Sequence, residues 1–565
     1  MSQKTTFAYD HYYAFEELTG CLKQLAQQYP NLATLTPLAK TLKDREIWLL
    51  TITDSATGPS EDKPAYYADG NHHAGEVTGS MAVMHFADYL LTNSQDSEIA
   101  ALLKKYTFYL IPRMSPDGAE CYLTTPTRLR SVDRMYPFET LQPGLQQKDM
   151  DGDGVIRMMR IKTPYGAWKV SDKDPRLMTL RTPDDSEGDF YNVYAEGYIE
   201  DFNGLDIQPA PEKFGYDMNR NYPACWSHES IQSGAGPYPL SNIENKTLAD
   251  FVISHKNIAS VLTYHTHGGM FLYPPGTVPS AEAFKEDIKR YQEIGKIATA
   301  ITGFDTVNVF DMFIPKGTVA SSGAFDDYCH YDRGIPAYTV ECWDIAPRSG
   351  IPHAWPLTNS KSPEQQEEEA YKQLMWLEKN VGPDVFVPWH AFQHPQLGEV
   401  EIGGYNYKFT FQNCPPKFLI EEVEKHTSFM LRHVRCLPSL HIDQVSAESL
   451  GGDIYRISAV VGNTGYLPTY LTREAIKLQV DVKPKAVLSC AQGIEMADGK
   501  AEQTLSHLQG FSGISARYMW GVPNTGAHEP VQQKVTWLIH GKAGQKVEVA
   551  VSCPTGGKAC ASVVL

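Results

Sequence analysis

Cysteine is sparse and unpatterned in this chain. Ten stand in 565 residues, at positions 21, 121, 225, 329, 342, 414, 436, 490, 553 and 560, and no two form a C-x-x-C. Free thiols in a reducing compartment are therefore the expectation, not a disulfide framework. No apolar run is long enough to span a bilayer. The first residues, Met1-Ser2-Gln3-Lys4-Thr5-Thr6-Phe7-Ala8-Tyr9, lack the apolar segment of a secretory signal, so a cytoplasmic location is expected. Positive charge is also short. Lys and Arg number 50 against 67 Asp and Glu, a net charge of −17, with a pI near 5.5. That balance repels nucleic acid and anionic membranes, and neither is an expected partner. Low complexity is not expected either, because 42% hydrophobic, 21% charged and 11% aromatic residues make an ordinary globular composition. At 565 residues the chain exceeds one ordinary core, which predicts two domains.

What is present starts with Gly70-Asn71-His72-His73-Ala74-Gly75-Glu76. Ala65 to Ala68 before it read as a short buried strand. Thr78 through Leu91 after it read as a helix, with Met81, Met84, Ala87 and Leu91 at helical spacing. A His and a Glu on the turn between strand and helix can reach one ion together. A catalytic zinc takes three protein ligands and an open position for water. Further along, the strand-like Ile258 to Tyr264 ends in His265-Thr266-His267-Gly268-Gly269. A second apolar run, Ala337 to Val340, ends in Glu341. Between them and the first pair lies Gly215-Tyr216-Asp217-Met218-Asn219-Arg220-Asn221-Tyr222.

In this order the motifs resemble those of the zinc metallocarboxypeptidases of the carboxypeptidase A type: G-N-x-H-x-x-E, then D-x-N-R-N, then a His followed by Ser or Thr, then a strand ending in the catalytic Glu. The resemblance runs from about Tyr9 to the 370s. A lone H-x-x-E is weak evidence; four motifs in order are specific. The resemblance implies one zinc per chain on His73, Glu76 and His265, with His72 and His267 as adjacent competitors. It implies Glu341 as general base and Asp217 as the carboxylate that holds a ligand imidazole by its other nitrogen. Asn219 and Arg220 correspond to the pair that grips a substrate's terminal carboxylate, a task suited to the fork of a guanidinium. An arginine that polarises the scissile carbonyl falls at Arg130, with Arg134 as the alternative. The specificity position falls at Phe325, implying apolar terminal side chains; Asp326 or Asp327 there would favour basic ones. The mobile-loop tyrosine of the family has no counterpart near Thr318-Val319.

Helices alternating with buried strands make the first domain α/β with a mixed sheet, and His73, His265 and Glu341 sit at strand ends, where open α/β sheets place their ligand sites. This domain is expected to span 1–436. Within it, 136–211 is a long segment that compact members of the family lack, and 387–416, rich in Pro and aromatics, reads as a crossing linker. Asp149, Asp151 and Asp153 alternate along Asp149-Met150-Asp151-Gly152-Asp153-Gly154, a pattern that suits Ca2+ or a plain Asp-Gly turn. It is not an EF-hand, whose twelfth position would be a glutamate and is Arg160 here. From 437 to 565 the pattern changes to period two, in Ile476 to Val482, Val535 to Ile539 and Val547 to Val551. That predicts antiparallel strands in a β-sandwich. The function implied is hydrolysis of the C-terminal peptide bond of peptides. A zinc amidohydrolase acting on small N-acyl amino acids and a catalytically dead peptide-binding protein are the other readings.

Overall fold

The computed structural model describes residues 4–315, 317–357, 361–527 and 529–565. An eight-stranded mixed sheet organises the first two thirds of the chain. Its order is Ala33–Lys40, Glu46–Ile52, Thr107–Ile111, Ala65–Gly70, Ile258–Thr266, Ala337–Cys342, Met270–Tyr273 and Asp305–Asn308. The four strands from Thr107–Ile111 through Ala337–Cys342 run parallel. Every residue of Ala65–Gly70, Thr107–Ile111 and Ile258–Thr266 is buried. Parallel strands covered on both faces give continuous apolar runs, and that is how they read in the sequence. Because Ala65–Gly70, Ile258–Thr266 and Ala337–Cys342 are parallel neighbours, their carboxyl ends open together at one edge of the sheet.

The helix Val77–Thr92 leaves the first of these strands after a short turn and is buried at all but Tyr89 and Thr92. Two glycines set its approach. A Cβ on Gly70 would lie 2.6 Å from the carbonyl carbon of Gly79, and one on Gly79 would lie 2.8 Å from the Cβ of Tyr264. Larger residues at either place would push the helix, and the turn that precedes it, off the sheet.

The helix Pro416–His433 packs across Val77–Thr92 and Lys285–Thr302. It is anchored by buried histidines. His433 meets the Tyr66 hydroxyl at 3.0 Å and Ser260 Oγ at 3.3 Å, and His85 meets Thr427 Oγ1 at 2.7 Å. Burial pushes His85 and His433 down to about 3, and His330, beside the Tyr291 hydroxyl, likewise. The unfolded chain binds these protons near pH 6.5 and the folded chain does not. Stability from the neutral rings is therefore complete above about pH 6.5 and is lost as pH falls towards 3. Urea melts at pH 7 and pH 5 are expected to differ by ~2 kcal/mol for each such histidine. A His433→Gln variant should show a shallower dependence; an unchanged slope would remove His433 from the account.

Two expectations are corrected here. The stretch 387–416 is not a crossing linker. The strands Phe386–His394 and Gly398–Tyr405 form a hairpin that joins Met158–Lys162, Phe190–Ala195, Trp168–Val170 and Met178–Leu180 in one six-stranded sheet. Pro388 hid the first strand; it falls where the pairing register shifts between Val387 and His390, a bulge that tolerates proline. The run Ile476 to Val482 is not a strand either. Arg473–Leu478 is a short helix, capped by the Thr472 side chain on Ala475 N and ended by Gln479 at φ 59°. The Arg473 and Glu474 amides donate to Asp287, and Thr472 Oγ1 donates to the Gly334 carbonyl, so capping and docking override the period-two pattern.

The rest of the C-terminal region is all antiparallel. One sheet orders Leu440–Gly451, Ile454–Asn463, Gln532–His540 and Glu495–Asp498. The other orders Glu502–Thr504, Lys485–Cys490, Lys546–Cys553 and Gly557–Val564. Ile457, Val461, Trp537 and Ile539 of the first pack with Leu488, Val549 and Val551 of the second in one apolar cluster. Two antiparallel sheets sharing a core is the architecture of a β-sandwich.

Candidate metal centre

The turn from Gly70 to Glu76 is built around Asn71. Its φ of 69° is left-handed, and its side-chain amide donates to the His73 and Ala74 carbonyls at 2.6 and 3.1 Å. This tight loop points His73 and Glu76 back over the strand ends. From the neighbouring strand comes His265, which lies in register with Glu341 across the sheet. His73 Nδ1 lies 2.8 Å from Glu76 Oε1, His265 Nδ1 lies 2.9 Å from Glu76 Oε2, and the two Nδ1 atoms are 3.1 Å apart. A tetrahedral zinc with bonds of about 2.0–2.1 Å spaces its ligands by roughly 3.3 Å, so the donor set has nearly the span that ion requires. Two imidazole nitrogens and a carboxylate are also its ordinary ligand chemistry. Burial opposes the charge on Glu76, but the His73 and His265 rings outweigh it and hold the carboxyl well below its usual range.

Behind His73, Asp217 Oδ1 accepts from Nε2 at 2.9 Å, and Asp217 Oδ2 accepts from Arg130 Nε at 3.0 Å. Arg130 also reaches Glu76 Oε1, at 3.3 Å. Arg134 is elsewhere, its guanidinium 4.7 Å from the centre of the Tyr216 ring. Of the two candidate arginines, the fold brings only Arg130 to the cluster. His72 and His267 stay outside the donor set. His72 is fully buried, with Nε2 at 2.9 Å from the Tyr222 hydroxyl and Nδ1 at 3.1 Å from Asp69, whereas His267 is exposed.

Glu341 Oε2 is buried with no hydrogen-bond partner among the described residues. Burial, and then the nearby Glu76 carboxylate, push the Glu341 carboxyl up to about 8. A divalent cation among the three ligands acts in the opposite sense. Arg220 lies close enough to stabilise the charged forms of Glu341 and Asp326. Its guanidinium donates to the Asn219 carbonyl at 2.7 Å and to Ser321 Oγ at 3.3 Å. It takes part in no salt bridge among the described residues. Asn219 Oδ1 accepts from Phe325 N at 2.8 Å and so ties the 323–327 segment to the Met218–Arg220 turn.

Phe325 does not line a substrate pocket. It has no exposed surface and packs among Tyr67, His72, Tyr222 and Tyr328. The next residue, Asp326, is also buried but faces the opposite way. The Asp326 carboxylate faces Thr339, His265 and Arg220, and burial raises its pKa. Asp327 turns away and accepts from Gly276 N at 3.1 Å. Helical geometry sends consecutive side chains in different directions, so neighbouring residues of this segment meet different surroundings.

Sequence reasoning missed the residues that brace this site from 406–436. Asn413 accepts from Thr78 N at 3.0 Å and donates to the Gly75 carbonyl at 2.7 Å, clamping the turn that carries Glu76. Glu422 accepts from Trp343 N at 2.9 Å, two residues beyond Glu341, and pairs with Lys425 at 2.7 Å. Neither lies in a motif, and polar residues on an amphipathic helix read as solvent-facing. The Asp149, Asp151 and Asp153 carboxylates do converge, within 4.8 Å. They are already engaged: Asp149 accepts from Gly152 N and Gly154 N, Asp151 pairs with His390 at 3.2 Å, and Asp153 with Arg157 at 2.6 Å.

A mixed α/β sheet that gathers two imidazoles, four carboxylates and two guanidinium groups around its parallel strand ends has the make-up of a metal-dependent hydrolase. Residues 18–361 match the family model described as zinc carboxypeptidase, and the chain belongs to that family. Residues 439–564 match a second model, described only as a domain of unknown function. Carboxypeptidase D of Mus musculus is 31% identical over 111 residues, 20% of this chain, and the chain spans only 8% of that protein's length. Carboxypeptidase O of Bos taurus is 25% identical over 349 residues, covering 60% of this chain and 72% of that protein. Carboxypeptidase B of Astacus astacus is 21% identical over 346 residues, covering 59% and 86%. Among solved structures, carboxypeptidase A from Helicoverpa armigera is 18% identical over 66% of this chain and 73% of that one, with a TM-score of 0.38. No helix among the described residues is long and apolar enough to cross a membrane.

Proposed function

We propose that this chain is a zinc-dependent carboxypeptidase that removes single residues from free C-termini, with a catalytic unit at 1–436 and a non-catalytic β-sandwich at 437–565. The observation that carries the exopeptidase reading is Arg220, a cation beside the Glu341 cluster that forms no salt bridge among the described residues. A terminal carboxylate completes it with charge-assisted contacts, and an internal peptide bond offers no such group. His73, Glu76 and His265 would hold the zinc, which when bound supplies Lewis acidity and brings the pKa of water near 7. Glu341 takes the proton of the attacking water and returns it to the leaving amine. Arg130, aimed by Asp217 and Glu76, meets the charge that develops on the carbonyl oxygen. Asp217 keeps the His73 ring in one orientation.

Asp326 changes the expected preference. With Phe325 in the core, a buried carboxylate near Arg220 and Thr339 supports a basic terminal side chain over an apolar one. Peptides ending in Arg are expected to be cleaved at least about tenfold more efficiently than those ending in Phe, the effect of a single charge-assisted contact. The C-terminal amide of either should be nearly inert. Equal rates on acid and amide would mean that the carboxylate is not read, and the exopeptidase assignment would fail.

Calcium at Asp149, Asp151 and Asp153 is proposed as a structural ion only. Arg157 and His390 already answer two of the three carboxylates, so the expected gain is small. Calcium should raise the melting temperature of chelated, zinc-reloaded protein by about one degree, roughly 1 kcal/mol in a chain of this size. No rise would leave a self-sufficient Asp-Gly turn.

A further inference from the structure

A cavity with an unbalanced charge lies behind the Gly75-Glu76 turn. It holds about 70 Å³ and is walled by Arg128, Lys408, Asn406, Tyr407 and Tyr122, with the 154–156 loop and the apolar Leu123, Pro126 and Phe409 completing the wall. No carboxylate lines it. Lys408 is only 8% exposed, and among the described residues its ammonium has two hydrogen-bond acceptors, the Tyr122 and Thr125 carbonyls, each at 2.6 Å, and lies 4.3 Å from the centre of the Tyr122 ring. An ammonium carries three donors, so one N–H is left. Arg128 donates to Gln147 Oε1 at 2.9 Å, and its Nε is buried without a partner. Asn406 Oδ1 is likewise buried and unpartnered. An amide turned by 180° has the same outline and presents its NH2 instead. Burial pushes the Lys408 ammonium down to about 8 and lowers Arg128, the sign of cations held without counter-charge.

Two half-desolvated cations sharing one cavity are costly unless an anion joins them. We propose that this cavity is an oxyanion-binding subsite, for a carboxylate or phosphate group, adjoining the metal centre. The available volume is several times the space a single water needs and admits a small oxyanion. The Arg128 fork and the spare Lys408 N–H supply donors of the right charge. The cavity is one ring away from the proposed chemistry: the Tyr122 ring lies 2.8 Å from where a Gly75 Cβ would stand, and Tyr122 and Tyr407 both feel the Glu76 charge. The oxyanion has two possible sources, an acidic side chain of the peptide upstream of the cleaved bond, or a free small anion. The first source rests on the carboxypeptidase reading and the second does not.

The test uses the zinc-loaded full chain, wild type beside Arg128→Gln and Lys408→Met. Calorimetry with inorganic phosphate is expected to show saturable binding to the wild type and at least a tenfold loss of affinity in each variant. Arg128→Gln, at a partly buried position, keeps the experiment decisive should Lys408→Met fail to fold. In a second arm, kcat/KM is compared for peptides carrying Asp or Asn upstream of the terminal residue. An Asp preference that disappears in Arg128→Gln, and that phosphate competes away, assigns the site to substrate. Phosphate binding without any such preference assigns it to a free anion. The subsite is wrong if the wild type neither binds phosphate at concentrations on the order of 10 mM, the weakest affinity two such contacts would leave, nor distinguishes Asp from Asn. Equal behaviour of wild type and Arg128→Gln in both arms overturns it as well.

Discussion

Glu341→Gln is expected to lose at least roughly a hundredfold in kcat while keeping its zinc, the usual scale for removing a general base. Glutamine has the same outline but cannot accept a proton as a carboxylate does. Its position is set by backbone, not by its own side chain: residue 341 is paired with His265 on one side and Met270 on the other. Oε2 has no hydrogen-bond partner to lose among the described residues. The carboxyl is already pushed up to about 8 by burial and by Glu76, so deleting its charge costs the fold little. Compared in the metal-free state, the variant should therefore melt at or above the wild-type temperature. Near wild-type turnover would remove Glu341 from the mechanism, and loss of zinc with turnover would recast it as part of the metal's surroundings.

His73→Ala is expected to abolish zinc binding at one ion per chain and all measurable turnover with it. The ring contributes one of the donors that lie within 3.1 Å of each other, and its other nitrogen is the group that Asp217 holds. Two remaining ligands do not make a closed zinc site. The stability readout is independent of activity. An ion present at about a thousand times its dissociation constant stabilises the native state by roughly 4 kcal/mol. Wild-type protein reloaded with zinc should gain that increment over its chelated form, and the variant should gain none. Equal zinc content in the two proteins would mean that His73 is not a ligand.

The parts of this protein legible in the sequence are those where one local rule acts alone. The central strands are apolar throughout because both faces are covered, and the turn at Asn71 carries its own signature because it must bend within a few residues. The four motifs read in order because each sits on a single strand end or turn. The hairpin 386–405 was not legible: its pairing partner, Met158–Lys162, is more than two hundred residues away, and Pro388 masked its first strand. The helix Arg473–Leu478 was not legible either, since its alternation is sound for a strand and only the Asp287 and Gly334 contacts tip it.

By itself the sequence determined which residue types stand at the ends of the central strands, and so the chemistry this chain has available. The tertiary structure decided which of the competing neighbours faces that chemistry. Arg130 and not Arg134 reaches Asp217, Asp326 and not Phe325 faces Arg220, and Asn413 and Glu422 brace the site from a distant helix and loop. The physical reason is the same in each case. A motif constrains the chain to within a residue or two, whereas a side chain's direction follows from its exact place on a turn or helix and from what packs behind it.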